Sequence, residues 1–216
     1  MIQIPYIRSE LSFPPVDSAT EEGLLAYGGD LSAERLLLAY KNGIFPWYNT
    51  GDPILWWAPD PRLVLFLDEF ILRKSLRKRM KHFEIRYDTS FAEVMRECGS
   101  IARDGQQGSW IIPELIEAYS VLHEMGYAHS IEAWQDGNLV GGLYGVMIGK
   151  MFFGESMFTK VRDASKVAFA ALVERLKNDG FTMIDCQISS AHLKSLGARE
   201  ISRDEFMRHL HKQLYT

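Results

Sequence analysis

The spacing of apolar positions divides the chain near residue 62. Before that point, Pro- and Gly-rich stretches surround one helix, which begins after Ser32 as N-cap and ends at Gly43. Residues 45–48 and 54–62 are predicted as connections. Two prolines flank Asp60 and forbid a helix there, so a lobe boundary is expected at this point.

Strand-like and helix-like patterns alternate after residue 62. An Asp-Gly turn at 136–137 joins two apolar runs, which is a strong hairpin signal. Strands are predicted at 63–67, 83–87, 128–134, 139–148, 151–153, 181–186 and 199–202. Helices are predicted at 71–82, 90–99, 113–126, 163–178 and 190–196, and from 204 onward. This order indicates an α+β domain with a mixed sheet over 63–216, preceded by a small N-terminal lobe over 1–62.

Composition narrows the class of protein. With 216 residues, 47% hydrophobic and 24% charged, the chain is globular rather than disordered. The net charge of −4 argues against a surface that is basic throughout, but it permits a local basic patch. Two cysteines are too few for a disulfide scaffold or a closed zinc site, which favours a reducing compartment. Because the sequence has no long apolar run and no signal-peptide pattern, we expect a cytoplasmic protein without membrane contact.

One predicted helix is strongly basic. No acidic residue occurs between Glu69 and Glu84, and the i, i+3 and i+4 spacing can bring five cations to one face. These cations are Arg73, Lys74, Arg77, Lys78 and Lys81. The helix is interpreted either as a binding surface for a polyanion or as an ordinary solvated face.

Tryptophans are concentrated in the predicted connections. Trp47, Trp56 and Trp57 lie close together, and Trp110 directly precedes a predicted helix. Large aromatic side chains usually belong to the core. Outside regular elements, however, they also provide stacking platforms for unpaired bases, each contact contributing about 1–3 kcal/mol.

Three polar residues are placed where strands end. Glu155 follows an apolar strand at a predicted strand-to-loop transition, and it is read either as a ligand-site carboxylate or as a surface residue in a turn. Strand alternation puts Asp185 and Gln187 on one face and Cys186 on the other. Two neighbouring buried polar groups are unfavourable unless they are paired or used, so a functional role is favoured over a structural one.

Several common catalytic motifs are absent from the sequence. It has no phosphate-binding P-loop, no Gly-x-Ser-x-Gly elbow and no His-Glu-x-x-His pair. His123, His129 and His192 are isolated, which favours core or capping roles over metal binding. Residues 141–145 are Gly-rich but lie within a strand, so close backbone approach is expected there rather than dinucleotide binding.

Taken in order, the motifs resemble one family, the bacterial leucyl/phenylalanyl-tRNA–protein transferases. The resemblance covers nearly the whole chain, although the family's chains often extend beyond the equivalent of Thr216. The matching segments are 23–31, 43–48, 56–62, 129–132, 141–145, 153–158, 164–166, 185–187 and 195–198.

The resemblance implies a GNAT-like acyltransferase fold for 63–216 and a specific reaction. Leu or Phe, and also Met, would pass from aminoacyl-tRNA to acceptor proteins with N-terminal Arg or Lys, marking them for N-end-rule degradation. Because the tRNA carries the activated acyl group, neither a cofactor nor a metal is expected.

The resemblance also implies roles for particular residues. Trp47 and Trp110 would hold the terminal adenosine, and the basic helix would bind tRNA phosphates. Asp185 would orient Gln187, which would hold the attacking amine, and Glu155 would position the amine or the ester. The aminoacyl side chain would lie in a pocket formed by Leu143, Phe152, Met157 and Phe158.

Two other readings of the sequence stay open. One is a different acyltransferase, either acetyl-CoA-dependent or a cell-wall aminoacyltransferase of related fold. The other is a tRNA-binding module without catalytic activity, which would leave Glu155, Asp185 and Gln187 without a role.

Overall fold

The computed structural model describes residues 4–101 and 111–214. Within these ranges the strands are β1 (Tyr6–Ile7), β2 (Leu24–Gly28), β3 (Phe45–Pro46), β4 (Leu55–Trp57), β5 (Arg62–Phe66), β6 (Glu84–Tyr87), β7 (Ala128–Gln135), β8 (Asn138–Ile148), β9 (Met151–Thr159), β10 (Met183–Gln187) and β11 (Arg199–Ile201). The helices are α1 (Ala33–Lys41), α2 (Lys74–Met80), α3 (Phe91–Ser100), α4 (Pro113–Glu124), α5 (Ala164–Asn178), α6 (Ala191–Lys194) and α7 (Arg203–Leu214).

The N-terminal part of the chain forms a small four-stranded sheet in the order β1-β2-β4-β3. Two of the predicted connections are therefore short strands. Trp56, in the middle of β4, is completely buried, and its indole Nε1 donates to the Gly28 carbonyl at 2.9 Å. Of the two readings open for this tryptophan, core residue and stacking platform, the core reading is confirmed, because the strand turns this side chain into the core.

A second sheet has seven strands in the order β11-β5-β10-β9-β8-β7-β6. Among the described residues β9 and β10 are its parallel pair, and its other neighbours are antiparallel. Parallel neighbours need a crossover connection, which α5 supplies between them. The α+β class with a mixed sheet and a small lobe in front of it is confirmed.

Alternating side chains divide the core into two layers, one on each face of the large sheet. Phe152 packs with α5, whereas the next residue, Phe153, packs with the N-terminal lobe, α3 and α7. The second layer also contains Tyr40 of α1 and Trp56 of β4, so the small sheet shares a continuous core with the large one. The predicted division at residue 62 stays a prediction.

None of the helices in the described part of the chain has the length and apolar character needed to cross a bilayer.

Candidate active site

The parallel strands β9 and β10 separate at the centre of the large sheet. They pair only from Met151 opposite Met183 to Phe153 opposite Asp185, and both strands then continue without each other. Beyond the separation each strand contains one extra residue relative to its antiparallel neighbour: Glu155 in β9 and Cys186 in β10. Such β-bulges redirect side chains and interrupt pairing. The result is a wedge-shaped opening in the middle of the sheet.

Gly145 of β8 lies opposite Gly154 of β9, beside the bulge at Glu155. Because Gly145 has no side chain, it permits that bulge. A Cβ atom at Gly145 would be only 2.2 Å from the carbonyl oxygen of Phe153. The expectation that the Gly-rich segment serves close backbone approach is confirmed.

A cavity of about 360 Å³ occupies the wedge. Its volume is near the lower end of the range of about 300–1,000 Å³ for small-molecule sites. Apolar side chains from the sheet and α5 line one part, the polar groups of β9 and β10 line another, and the segment 45–47 of the small lobe closes a third side. The lining residues include Phe45, Pro46, Trp47, Leu143, Phe152, Glu155, Met157, Phe169, Leu172, Ile184, Cys186, Gln187 and His192.

The Glu155 carboxylate lies at the polar part of this cavity. Its Oε1 accepts hydrogen bonds from the Tyr40 hydroxyl and from Nε2 of Gln187, both at 2.7 Å. Burial raises the pKa of the Glu155 carboxyl from 4.5 to about 7, although these two hydrogen bonds act in the opposite direction. Near neutral pH the group can therefore both hold and release a proton.

Tyr40 and Tyr119 form a chain of hydroxyl groups behind Glu155. The two hydroxyls are hydrogen-bonded to each other, and the Tyr119 oxygen is 3.5 Å from Oε2 of Glu155. Each phenol has one proton, so if Tyr40 donates to Glu155, Tyr119 must donate to Tyr40. Burial, together with the nearby carboxylate, raises the pKa of both phenols well above 10, which keeps them protonated donors.

Asp185 is paired with a residue that the sequence predictions did not include. Both carboxylate oxygens accept from Arg62, Nε at 2.8 Å and Nη2 at 2.7 Å, and both side chains are buried. Removing one partner from such a buried pair typically costs about 3–5 kcal/mol, because the other charge is left uncompensated.

Asp185 orients Gln187 through the backbone. Oδ1 of Asp185 accepts the backbone N–H of Gln187 at 2.9 Å, and Gln187 has a φ of 63°. A left-handed conformation costs a residue with a side chain about 1–2 kcal/mol, so this hydrogen bond holds a strained backbone in place. The Gln187 amide nitrogen is then directed to Glu155, and none of the described residues donates a hydrogen bond to its amide oxygen.

The alternation predicted for residues 185–187 holds for Cys186, which lies on the opposite face from Asp185, but it is wrong for Gln187. Because Cys186 is a bulge residue and Gln187 has a positive φ, Cys186 and Gln187 both line the cavity, while Asp185 is directed to Arg62. Burial raises the pKa of the Cys186 thiol far above its ordinary value, which makes it a poor nucleophile. Glu155 also differs from its prediction, since β9 runs on to Thr159 and the residue lies inside the strand.

Trp47 faces the cavity, and Trp57 supports it from behind. The two ring centroids are 5.6 Å apart, and the indole Nε1 of Trp57 donates to the Trp47 carbonyl at 2.6 Å. Trp110, the other residue predicted to hold adenosine, lies outside the described residues, and its role stays a prediction.

Three of the four residues predicted for the aminoacyl pocket line the cavity: Leu143, Phe152 and Met157. Phe158 does not. It follows Met157 on the strand, so it points to the opposite face, where it is 1% exposed and packs in the layer that contains the small lobe.

The five cations predicted to form one face are exposed on and beside α2, which is shorter than predicted. Among the described residues none of the five has an acidic partner within ion-pair distance, whereas Arg79 of the same helix contacts Asp163 at 3.3 Å. The cations are Arg73, Lys74, Arg77, Lys78 and Lys81. Since α2 packs on α5, which lines the cavity, this basic face lies beside the wall of the site.

Sequence reasoning missed four side chains at or near the cavity. Arg62 was only part of a Pro-rich motif, and Tyr40 and Tyr119 had the spacing of core residues. His192 lines the cavity from α6, and burial lowers its pKa, with Lys166 nearby acting in the same direction. For the tyrosines and the arginine no local signal exists, because their partners are distant in sequence.

Within residues 4–101 and 111–214, no group of three or more His, Cys, Asp or Glu side chains could hold a metal ion.

Comparison with known proteins identifies the family. The profile described as leucyl/phenylalanyl-tRNA protein transferase matches residues 64–211, and that of the family's N-terminal domain matches residues 29–60. The chain belongs to this family. The leucyl/phenylalanyl-tRNA–protein transferase of Sulfurimonas denitrificans is 58% identical over 95% of this chain and 90% of the relative. That of Flavobacterium johnsoniae is 57% identical over 94% of this chain and 96% of the relative.

The chain is also similar to solved structures. One is a GCN5-related N-acetyltransferase from Kribbella flavida, which has a TM-score of 0.40 and 8% sequence identity. The match covers 77% of this chain and 60% of that chain. FemX has a TM-score of 0.48 and 12% identity over 79% of this chain and 66% of its own. Both TM-scores are below 0.5, so the fold class rests on the sheet order described above.

Proposed function

We propose that this protein transfers Leu or Phe, and also Met, from aminoacyl-tRNA to the N-terminal Arg or Lys of acceptor proteins, which marks them for N-end-rule degradation. The observation that carries the proposal is the cavity itself. An apolar pocket, a carboxylate–amide pair and a tryptophan surround one small space, and these are the three contacts that an aminoacyl-adenosine end requires.

The substrate's three parts correspond to three kinds of side chain. In this proposal the terminal adenosine stacks on Trp47, and the aminoacyl side chain enters the pocket of Leu143, Phe152 and Met157. A flexible Met in that wall suits both Leu and Phe, because its thioether chain can repack. The basic face on α2 binds tRNA phosphates without reading their sequence, so affinity falls with rising salt.

The reaction is an aminolysis of an ester. The acceptor's α-amine attacks the ester carbonyl carbon, the new C–N bond forms, and the bond to the ribose 3′-oxygen breaks. One proton leaves the nitrogen, and one is gained by the 3′-oxygen. Since a free α-amine has a pKa of about 7.7–8.0, orientation and modest proton removal suffice.

Glu155 and Gln187 are assigned the contacts with the amine. The amide oxygen of Gln187 accepts one N–H of the incoming amine, while its Nε2 remains bonded to Glu155. Glu155 takes up the proton that the amine loses, since a pKa of about 7 makes it an acceptor near neutral pH. Tyr40 and Tyr119 stabilise the ionised carboxylate before the proton arrives, and Asp185 holds the Gln187 backbone.

The direct test is a transfer assay. The protein is incubated with tRNA charged with labelled leucine and a peptide beginning with Arg, and the labelled Leu-Arg peptide is measured by mass. Uncharged tRNA and a peptide beginning with Gly are the matched controls. Binding of tRNA that is indifferent to the attached amino acid, without product, would indicate a binding module. Acetylation of a substrate by acetyl-CoA without use of Leu-tRNA would indicate a different acyltransferase.

A further inference from the structure

Arg62 is a buried arginine in which each guanidinium nitrogen has a partner. Nε and Nη2 donate to the two oxygens of Asp185, and Nη1 donates to the Gly43 carbonyl at 3.0 Å. The residue is 1% exposed, and its guanidinium carbon lies 4.9 Å from the ring centre of Phe45 and 4.5 Å from that of Phe206. These hydrogen bonds and ring contacts therefore fix both the position and the orientation of the Arg62 guanidinium group.

These contacts connect two parts of the candidate active site. Gly43 begins the short segment that leads through β3 to Trp47, on the nucleoside side of the cavity. Asp185 holds the backbone of Gln187, whose amide contacts Glu155 on the amine side. A single guanidinium group thus joins the two sides through strong, directional hydrogen bonds.

Stability alone does not account for a charged pair at this position. Well-packed apolar side chains of similar volume are often as stabilising as a buried ion pair, or more so, because they avoid the desolvation of two charges. A lysine could supply the charge, but its single ammonium group could not bridge both oxygens of Asp185 and also reach the Gly43 carbonyl in this planar arrangement.

We propose that Arg62 is a positioning residue for the transfer reaction: it fixes Gln187 through Asp185 and fixes the Trp47 segment through Gly43. This inference rests on the proposed function. Arg62 does not itself touch substrate in this proposal, and its effect on the rate comes from the geometry of the residues that do.

The first test is Arg62→Lys, which keeps the charge and removes the planar fork. We expect kcat in the transfer assay to fall at least 30-fold, because small misplacement of reacting groups can lower rates about 100-fold. The KM for Leu-tRNA should change less than kcat. The control is Arg35→Lys, since Arg35 is also 1% exposed and bonded to backbone carbonyls but lies in the small lobe with Asp30 as its ion-pair partner. Its kcat should stay within twofold of wild type, even if its melting temperature falls.

The second test separates positioning from folding. Arg62→Met leaves Asp185 without its counter-charge near Glu155, so the acidic limb of the kcat–pH profile should move to higher pH. In Arg62→Met combined with Asp185→Asn, no unpaired charge remains, so the chain should fold and the limb should return towards its wild-type position. The double variant should be no slower than the slower single variant, because both changes break the same connection to Gln187.

The outcomes are distinct. Wild-type kcat in folded Arg62→Lys, or wild-type kcat in the double variant, would overturn the positioning role while leaving the proposed function intact. A wild-type protein that makes no Leu-Arg peptide would overturn the proposed function, and with it this inference.

Discussion

Replacing Glu155 by Gln should stabilise the protein at high pH and abolish its proton-accepting function. The pKa of Glu155 is raised by burial from 4.5 to about 7. Between these values the folded protein binds more protons at this residue than the unfolded chain does. Stability must therefore fall as pH rises through that window, and the loss is complete above about pH 7.

The size of the effect follows from the shift in pKa. Each pKa unit corresponds to about 1.4 kcal/mol, so a shift from 4.5 to about 7 corresponds to a loss of about 3 kcal/mol at pH 8. Glutamine has no such charge and keeps an oxygen that can accept from Tyr40 and Gln187. Relative to wild type, Glu155→Gln should then gain up to about 3 kcal/mol at pH 8 and almost nothing near pH 4.5.

The assay is urea denaturation of both proteins at several pH values between 4.5 and 8. Transfer activity is measured over the part of this range in which the tRNA ester persists. The exposed carboxylate of Glu117 on α4 provides the control, and Glu117→Gln should change stability by less than about 0.5 kcal/mol at every pH. In Glu155→Gln, kcat should fall about 100- to 10,000-fold, the usual contribution of general acid–base catalysis, and its acidic limb near pH 7 should disappear. A stability difference that does not depend on pH, or an unchanged acidic limb, would refute the reasoning.

Five further substitutions test three other parts of the site. Asp185→Ala and Gln187→Ala should each lower kcat at least 100-fold, while the Kd for Leu-tRNA, measured by filter binding, should change less than threefold. An equal loss of binding would reassign both residues to substrate recognition. Arg77→Ala should weaken charged and uncharged tRNA alike and reduce the slope of log K against log salt by about 0.7–0.9, so an unchanged slope in a salt titration would argue against a phosphate contact. Met157→Ala should change the ratio of Leu to Phe transfer by about tenfold in competition assays. Phe158→Ala should leave that ratio unchanged and lower the free energy of unfolding by about 3–5 kcal/mol. A changed ratio in the Phe158 variant would place Phe158 in the pocket.

The element order could be predicted from the sequence because it depends on local patterns. The hairpin at the Asp-Gly turn and the helix beginning at Pro113 and ending just before Gly126 occur as expected, since turn and cap residues determine them within a few positions. The basic face on α2 was visible for the same reason. Each of its cations lies three or four positions from another cation, and this spacing alone brings them to one face.

Local patterns could not predict the bulges or the long-range partners. A bulge breaks the two-residue repeat, so the alternation rule gave the wrong direction for Gln187. The polar run after Phe153 resembled the end of a strand. Arg62 and Asp185 are 123 positions apart, and Tyr40 and Tyr119 are 79 apart. The pairing of β5 with β10 brings the first pair together, and the packing of α1 against α4 brings the second pair together. The sequence left Trp56 open between core and stacking platform, because three-residue strands between prolines and glycines leave little signal.

The two bulges also make the site sensitive to chain length in a way that point substitutions do not show. Glu155 and Cys186 are each one residue more than the neighbouring strand needs, so deleting either would let the ladder close in regular register. Such a deletion would restore hydrogen bonds to the sheet and eliminate the opening between β9 and β10. The opening of the candidate active site therefore depends on these two extra residues. Single-residue deletion scans, with folding and transfer measured in parallel, should find stable but inactive proteins at these two positions.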